Sequence, residues 1–404
     1  MFYPFPFFRL RHVTPTFLED REHYLPIRVD VLMERMLQDE RLDAMERQNL
    51  RILRRMLADR FHYEYHATLE SLKSDFVPFD PDCDTLAEPE YTDEQLHEIR
   101  CRLYDSIREV LQIGNYRELT PEQFAECLDL QPIGGLSVHV DTDDFDEFHV
   151  YYCGVRQRED RERLLFFWKR ARPVVSLNRV FVIARFKPEH GGRVLVKMFK
   201  DIPVENIKII APKVKLGMPI FARVKIGGSA AGSLATTIWK LVFAFTTSWV
   251  FFCVISFGLL FAAFKGIMSF FNSRTKYMHV YSSSLYLRTL SNNTAALTTL
   301  LDAAETQELK EILLGYYILF INRDRDITMK ELDEGAERWI EEQFGHCFDF
   351  EVDDAIGKLI DKNIVQVTEQ SPGLFVYRAG ELHSALRQLD KDWDEFNTFP
   401  DAAV

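Results

Sequence analysis

The longest apolar stretch of the chain is a run of 24 uncharged residues between Lys240 and Lys265. A helix rises about 1.5 Å per residue, so this run is long enough for a hydrocarbon core of roughly 30 Å. A helix that is apolar on every face has little use in water. The pattern therefore predicts an integral membrane protein, with Trp249 and Gly258 inside the membrane segment.

Two topologies of this segment stay open. In one, residues 241–264 form a single span between Lys240 and Lys265. In the other, residues 230–271 form a hairpin of two short helices, which places Lys240 in the first helix at a cost of about 2.5–3.5 kcal/mol on insertion scales. Small residues at 226–236 suit close helix packing. We favour the hairpin, because it leaves both basic flanks on one side.

Before the membrane segment, the apolar positions change from a helical to an alternating period. Helices are predicted in residues 20–74 and 92–112, where Thr92 opens a capping box. The charged and aromatic stretch 158–170 is also read as a helix. Alternation predicts short strands, and the last two flank a Gly-Gly turn. The predicted strands cover residues 136–140, 148–152, 180–186 and 194–199.

After the membrane segment, helices surround a short β-hairpin, which is a winged-helix pattern. The candidate reading helix at 351–362 is acidic, whereas DNA binding needs cations at phosphates. We therefore expect an unknown protein partner rather than nucleic acid. The helices cover residues 285–301, 306–321, 328–344, 351–362 and 381–396, and the strands cover 364–368 and 373–378.

The predicted fold class is an α+β membrane protein. It combines a helical N-terminal region, a small and mostly antiparallel sheet, a short transmembrane hairpin or single span, and a C-terminal winged-helix-like domain. The predicted boundaries are 1–130 for the helical region, 131–225 for the sheet domain, 226–272 for the membrane segment and 273–400 for the C-terminal domain.

The net charge of −13 is unevenly distributed. Residues 301–404 carry 10 basic and 24 acidic side chains, whereas residues 200–300 carry 11 basic and 2 acidic ones. Basic residues near membrane ends stay on the cytoplasmic side and attract anionic lipids. We expect a lipid bilayer as partner and soluble domains facing the cytoplasm, at a bacterial inner membrane or a mitochondrial membrane. The flanking basic residues are Lys213, Lys215, Arg223, Lys225, Arg274 and Lys276.

One stretch, residues 139–149, carries a candidate site for a divalent cation. Carboxylate and imidazole groups are common ligands of such ions. However, their spacing matches no fixed metal motif, and a solvated acidic turn between two strands explains them more simply. No cofactor is predicted. The candidate ligands are His139, Asp141, Asp143, Asp144 and His149.

The six cysteines are scattered without a C-x-x-C pair, which excludes a zinc ribbon or a disulfide framework and suits a reducing compartment. The chain start has no basic region followed by an apolar core, so we expect no signal peptide. Phosphate-loop and nucleophile-elbow signatures are missing from the sequence. We therefore do not expect an enzyme.

Several segments, none specific alone, form a recognisable set. They are residues 21–26, 76–82, 186–188, 198–203, 224–228, 284–286, 292–293 and 311–319. Together they resemble the transmembrane protein 143 family, a family of unknown function with bacterial and mitochondrial members. The resemblance implies a short hydrophobic hairpin and supplies no catalytic residues. Ser291 and Arg288 depart from the family's pattern. Asn292 and Asn293 either lock their helix to the sheet or lie on a polar surface.

The sequence as a whole predicts a membrane-anchored structural, regulatory or interaction protein, with residues 226–236 as the packing face of a homo-oligomer. One alternative is an oligomeric pore or transporter component in which Lys240 lines a path. A second alternative is a metal-dependent, membrane-associated enzyme that uses residues 139–149.

Overall fold

A computed structural model gives the fold. It describes residues 23–82, 89, 91–129, 137–140, 145–165, 168–210, 214–217 and 285–396, and scattered positions between 250 and 282.

The helices begin at well-defined caps. Asp43, Thr92 and Thr328 each form a reciprocal capping box with the residue three positions later, which satisfies free N–H groups in the first turn. The box at Thr92 confirms the prediction from the sequence. The helices are α1 (Val29–Leu37), α2 (Ala44–Phe76), α3 (Asp93–Ile113), α4 (Pro121–Asp129), α5 (Asn293–Ile321), α6 (Met329–Phe344), α7 (Val352–Asp361) and α8 (Leu382–Phe396).

The largest sheet has five antiparallel strands in the order β1-β3-β4-β5-β7. A second sheet has the order β8-β10-β9, and β2 pairs with β6. The prediction of a mostly antiparallel sheet is confirmed. The strands are β1 (Arg117–Glu118), β2 (Ser137–Val140), β3 (Phe145–Leu165), β4 (Trp168–Phe186), β5 (Val194–Pro203), β6 (Val214–Gly217), β7 (Thr289–Asn292), β8 (Ile327–Thr328), β9 (Val365–Ser371) and β10 (Leu374–Ala379).

Strand β4 separates two apolar clusters, because successive side chains of a strand point to opposite faces. Phe181 and Ile183 join the larger cluster, which also contains side chains of α1, α2, α3 and the C-terminal helices. Val180 and Val182 join the smaller cluster beside α4. The larger cluster thus draws on the first, second and fourth regions predicted from the sequence, whose boundaries themselves stay predictions.

Helix α5 crosses the middle of the larger cluster. It contacts α1, α2, α3, α6 and α7 as well as β5 and β10. As a result, nearly every residue from 307 to 320 is buried. This stretch of α5 has no solvent-facing side, and its polar side chains must find partners inside the protein.

Two predicted elements were wrong. Residues 158–165 and 168–170 lie in strands β3 and β4 and not in a helix, with Arg158 opposite Val174 and Arg163 opposite Lys169. Strand pairing decided the conformation, because charge and aromatic content have no period that separates helix from strand. The two helices predicted between 285 and 321 are one continuous helix, α5, preceded by β7. No glycine or proline interrupts residues 293–314.

The C-terminal elements follow the predicted order. Helices α6 and α7, the β9–β10 hairpin and α8 succeed one another along the chain. The added feature is β8, a two-residue strand that pairs with β10 immediately before α6.

The fold class of membrane protein is corrected by the structure. In the part of the chain that it describes, no helix is long and apolar enough to cross a membrane. The predicted integral-membrane localisation, with domains facing the cytoplasm, is wrong for the same reason. The prediction was made from the absence of charged residues between Lys240 and Lys265. This absence shows that the segment is hydrophobic but does not show its environment. Most of residues 226–272 lies outside the described residues.

Candidate binding groove and the buried polar residues behind it

A groove of about 820 Å³ lies between α2, α5, α7 and α8. Its lining combines apolar and aromatic side chains with seven carboxylates and only three cationic groups. Pockets that bind ligands are typically of this size, and this one is more highly charged than most of them. The groove is therefore the candidate functional site.

The floor of the groove contains Glu308 of α5, which is almost fully buried. The Tyr65 hydroxyl donates a hydrogen bond to one carboxylate oxygen, and Lys358 Nζ lies 3.0 Å from the other. Lys358 also donates to Asp354 Oδ2 at 2.5 Å. Burial raises the pKa of Glu308, and Lys358 offsets part of that effect. Burial lowers the pKa of Lys358, but Glu308 and Asp354 outweigh it, so the net shift is upward.

The second ionic group of the floor joins α2 to the end of α7. Arg60 Nε donates to Glu64 Oε1 at 2.6 Å, one helical turn away. Lys362 Nζ lies 3.7 Å from the other oxygen of Glu64 and 4.7 Å from the centre of the Phe61 ring. The three cations of the floor are thus engaged by carboxylates of the floor and by Asp354 beside it.

The rim of the groove carries the excess negative charge. Its carboxylates are Asp59, Asp361, Asp390, Asp392 and Glu395. Asp361 and Asp390 are exposed, and among the described residues neither forms an ion pair. Trp393 lies on the same wall, with the Arg60 guanidinium 5.8 Å from its ring centre. The rim can therefore attract a cation, while Trp393, Met56 and Leu389 offer apolar contact.

Behind the groove, one turn of α5 is polar and fully enclosed. Gln307, Lys310 and Glu311 are each no more than 3 % exposed. The side-chain amides of Gln307 and Asn115 donate to Glu311 Oε1 at 2.6 and 2.7 Å. We call these four residues the α5 polar cluster.

The electrostatics of the α5 polar cluster are dominated by burial. Burial raises the pKa of Glu311 to about 8; the Gln307 hydrogen bond works against this, and the charges of Glu351 and Asp354 add to it. Burial lowers the pKa of Lys310 to about 8, against the attraction of Glu311. Both groups therefore titrate close to neutral pH, in opposite directions from their ordinary values.

The predicted metal ligands are only partly described. His149 Nδ1 lies 2.8 Å from Glu118 Oε1, and His139 lies in β2 opposite Lys215 of β6. Asp141, Asp143 and Asp144 lie outside the described residues. Within the described ranges, no group of three or more His, Cys, Asp or Glu side chains could hold a metal ion. The site at 139–149 stays a prediction.

Most residues assigned to the membrane segment and its flanks also lie outside the described residues. Gly258 and Lys265 are described, and both are helical and exposed. Lys215 is described as part of β6. The residues that lie outside the described part of the chain are Lys213, Arg223, Lys225, Lys240, Trp249, Arg274 and Lys276.

The two asparagines at the start of α5 differ in burial. Asn293 is buried, and its Oδ1 accepts a hydrogen bond from the backbone N–H of Val196 in β5 at 3.2 Å. Its amide nitrogen donates to Asp82 at 2.5 Å, and the Thr294 hydroxyl donates to Asp80 at 2.9 Å. Asn292 is exposed. The predicted lock between helix and sheet is confirmed for Asn293.

The groove and the α5 polar cluster were missed from the sequence. Residues 306–311, Thr-Gln-Glu-Leu-Lys-Glu, are typical of a solvent-facing turn. A usable signal follows them, because residues 312–320 are uncharged on every face. A helix that is apolar all round is buried, and the turn before it must then enter the same core.

A family model described as a protein of unknown function (DUF3754) matches residues 162–295. The match runs from the end of β3 through β7 to the first turn of α5 and does not include the groove. The resemblance to the transmembrane protein 143 family stays a prediction. No solved structure matches the chain. Residues 162–295 are thus similar to a domain family of unknown function.

Proposed function

We propose that this chain is an interaction protein that binds a basic, partly apolar segment of a partner protein in the groove. The observation that carries the proposal is the separation of charge within the groove. The cations of the floor are engaged by carboxylates, whereas Asp361 and Asp390 on the rim are exposed and without a cationic partner among the described residues.

The chemistry of the walls supports a peptide segment as the ligand. A Lys or Arg side chain combines a charged end with an aliphatic stem. The charged end suits the carboxylates of the rim, and the stem suits Met56, Leu389 and the Trp393 ring. Complementary charge of this kind mainly speeds association and selects partners. Binding should accordingly weaken as salt screens the exposed charges.

The test is direct binding of arrayed short peptides to the full chain, followed by fluorescence anisotropy on the best binders. One set spaces Lys or Arg three and four positions apart beside Leu, and the matched set carries Glu in place of each cation. The cationic set should bind, and the double variant Asp361→Lys, Asp390→Lys should lose about tenfold in affinity.

The control variant has the same change in net charge outside the groove. Glu342→Lys with Glu381→Lys alters two exposed carboxylates that do not line it. This control should stay within about twofold of the unmodified chain. Equal losses in both double variants would mean that only overall charge matters, and the proposal would fail. Equal binding of the acidic and cationic peptides would contradict it as well.

A further inference from the structure

Residues 23–26 form a segment without regular secondary structure, separated from α1 by two residues. We call this segment the strap. Leu25 is completely buried in the larger apolar cluster, and Pro26 next to it is exposed. The strap is therefore anchored by Leu25, by the Tyr24 ring packed against the same cluster, and by the contacts of its main chain.

The main chain of the strap is held by side chains of the α5 polar cluster. Lys310 Nζ donates to the Leu25 carbonyl at 2.5 Å. The amides of Asn115 and Gln307 donate to the His23 carbonyl at 3.1 and 3.4 Å. Carbonyls two residues apart on an extended chain point to the same side. These donors therefore recognise one edge of an extended main chain.

The first residue of the strap is also held from the opposite side. His23 Nδ1 lies 3.1 Å from the Asp349 carbonyl and 3.6 Å from Glu351 Oε1. Residues 349–351 lead directly into α7, so the strap bridges α5 and the segment before α7.

This arrangement stabilises the core less than apolar side chains would, because it buries polar groups. Lys310 is buried against a carbonyl and the Tyr24 ring. The Oε1 atom of Gln307 and the Oδ1 atom of Asn115 are buried without a hydrogen-bond partner. Well-packed apolar side chains in place of buried ionic groups are often neutral or stabilising, whereas an unsatisfied buried polar atom is costly. Both oxygens are acceptors, and water that reaches them when the strap leaves would remove this penalty.

We propose that the strap is a releasable segment, and that Lys310, Gln307 and Asn115 form a binding site for an extended peptide main chain which the strap occupies in cis. The site takes a peptide with one apolar side chain between two carbonyls that face the same donors. The inference is independent of the groove, because it depends only on contacts of the strap.

Thiol labelling tests release in the full chain. A Leu25→Cys variant reports exposure of the strap, and a Leu50→Cys variant, at an equally buried position of α2, reports global unfolding. Labelling is read by mass spectrometry of the peptide that carries the new cysteine. The strap position should react at least about tenfold faster than position 50, because local opening needs less free energy than global unfolding. Equal rates would overturn the proposal. If Leu25→Cys does not fold, the pair Leu25→Met and Leu50→Met, which conserves side-chain volume, gives the same comparison through peroxide oxidation of the new methionine.

Two further arms test the binding site. Lys310→Met keeps the aliphatic length without the donor, and it should speed labelling at position 25 but not at position 50. A synthetic peptide with the sequence of residues 23–28, added to the Leu25→Cys chain, should also speed labelling by occupying the vacated site. The same peptide with Asp at the position of Leu25 is its control. No effect of Lys310→Met, or equal effects of the two peptides, would contradict a main-chain site occupied by the strap.

Discussion

Two regions of the larger apolar cluster are equally buried, but one contains apolar side chains and the other contains polar ones. On β4, Phe181 and Ile183 pack against other apolar side chains. On α5, the turn that contains Gln307 and Glu311 is buried just as deeply but is polar. Apolar packing contributes through area removed from water, whereas the polar turn depends on the hydrogen bonds that its side chains form.

The comparison shows that burial follows position in the fold rather than side-chain type. Strand β4 is a central strand of the sheet, and its alternating pattern places one set of side chains in each cluster. Between residues 307 and 320 helix α5 is enclosed by its neighbours, so the polar residues of that stretch are buried whatever they are. The apolar region should accordingly respond to lost volume, and the polar region to lost hydrogen bonds and to pH.

The largest effect is expected in the apolar region. Phe181→Ala should lower the free energy of unfolding by about 3–5 kcal/mol, because it removes a fully buried ring and leaves a cavity. Urea unfolding followed by circular dichroism measures the change. A loss below about 1 kcal/mol would show that this side of the sheet is not packed as described.

The pH dependence should report the polar region. The folded pKa of Glu311 lies above its ordinary value, at about 8. Its contribution is therefore complete below the unfolded pKa and is lost as pH rises through 8. Lys310 has the opposite sign, because its folded pKa of about 8 lies below its ordinary value. Its contribution is present above the unfolded pKa and is lost as pH falls through 8.

Glu311→Gln isolates the first of these two contributions. The unfolding free energy of the unmodified chain should fall relative to that of Glu311→Gln between about pH 5 and 8, by a few kcal/mol. Urea titrations of both chains across this range provide the measurement. Parallel curves would mean that Glu311 has the same pKa in the folded and unfolded chains.

A matched pair of variants at Asn115 separates backbone from side chain. Its φ of 57° lies in the left-handed region, which glycine adopts freely and alanine does not. Asn115→Ala should cost about 2–3 kcal/mol and Asn115→Gly about 1 kcal/mol less, since both lose the hydrogen bonds to Glu311 and His23. Thermal and urea unfolding of the pair test this order. Equal stability of the two variants would show that the left-handed backbone conformation at position 115 does not contribute to the loss.

The smallest effect is expected at the floor of the groove. Tyr65→Phe removes only the hydroxyl that donates to Glu308, and the expected loss is about 1 kcal/mol. Lys358 remains beside the carboxylate. The measurement is again urea unfolding, with binding of the cationic peptides as a second readout. A loss as large as that of Phe181→Ala would place Glu308 among the main determinants of stability.

The sequence predicted elements whose signals are local. The capping boxes at Thr92 and Thr328, the β9–β10 hairpin and the antiparallel sheet were found where their residues indicated. It failed where partners distant in the chain decide the outcome. Residues 158–165 and 168–170 are in strands because β3 and β4 pair with each other.

The candidate site could not be predicted from the sequence for the same physical reason. The groove combines side chains from residues 56–64, 308, 358–363 and 389–395. The α5 polar cluster joins Asn115 to α5 across 196 positions of the chain. The local periodicity of a sequence does not predict contacts between such distant residues. The asparagine lock at Asn293 also joins distant residues, across 97 positions to Val196 and 211 positions to Asp82. From the sequence it was one of two open alternatives.

The most direct test of a buried polar turn in α5 is the protonation state of Glu311 itself. The carbonyl stretch of a protonated carboxyl group can be followed by infrared difference spectroscopy and assigned by its loss in Glu311→Gln. The account predicts that this band persists at pH 7 and disappears with an apparent pKa of about 8. A carboxyl group already ionised at pH 6 would contradict the enclosure of this turn.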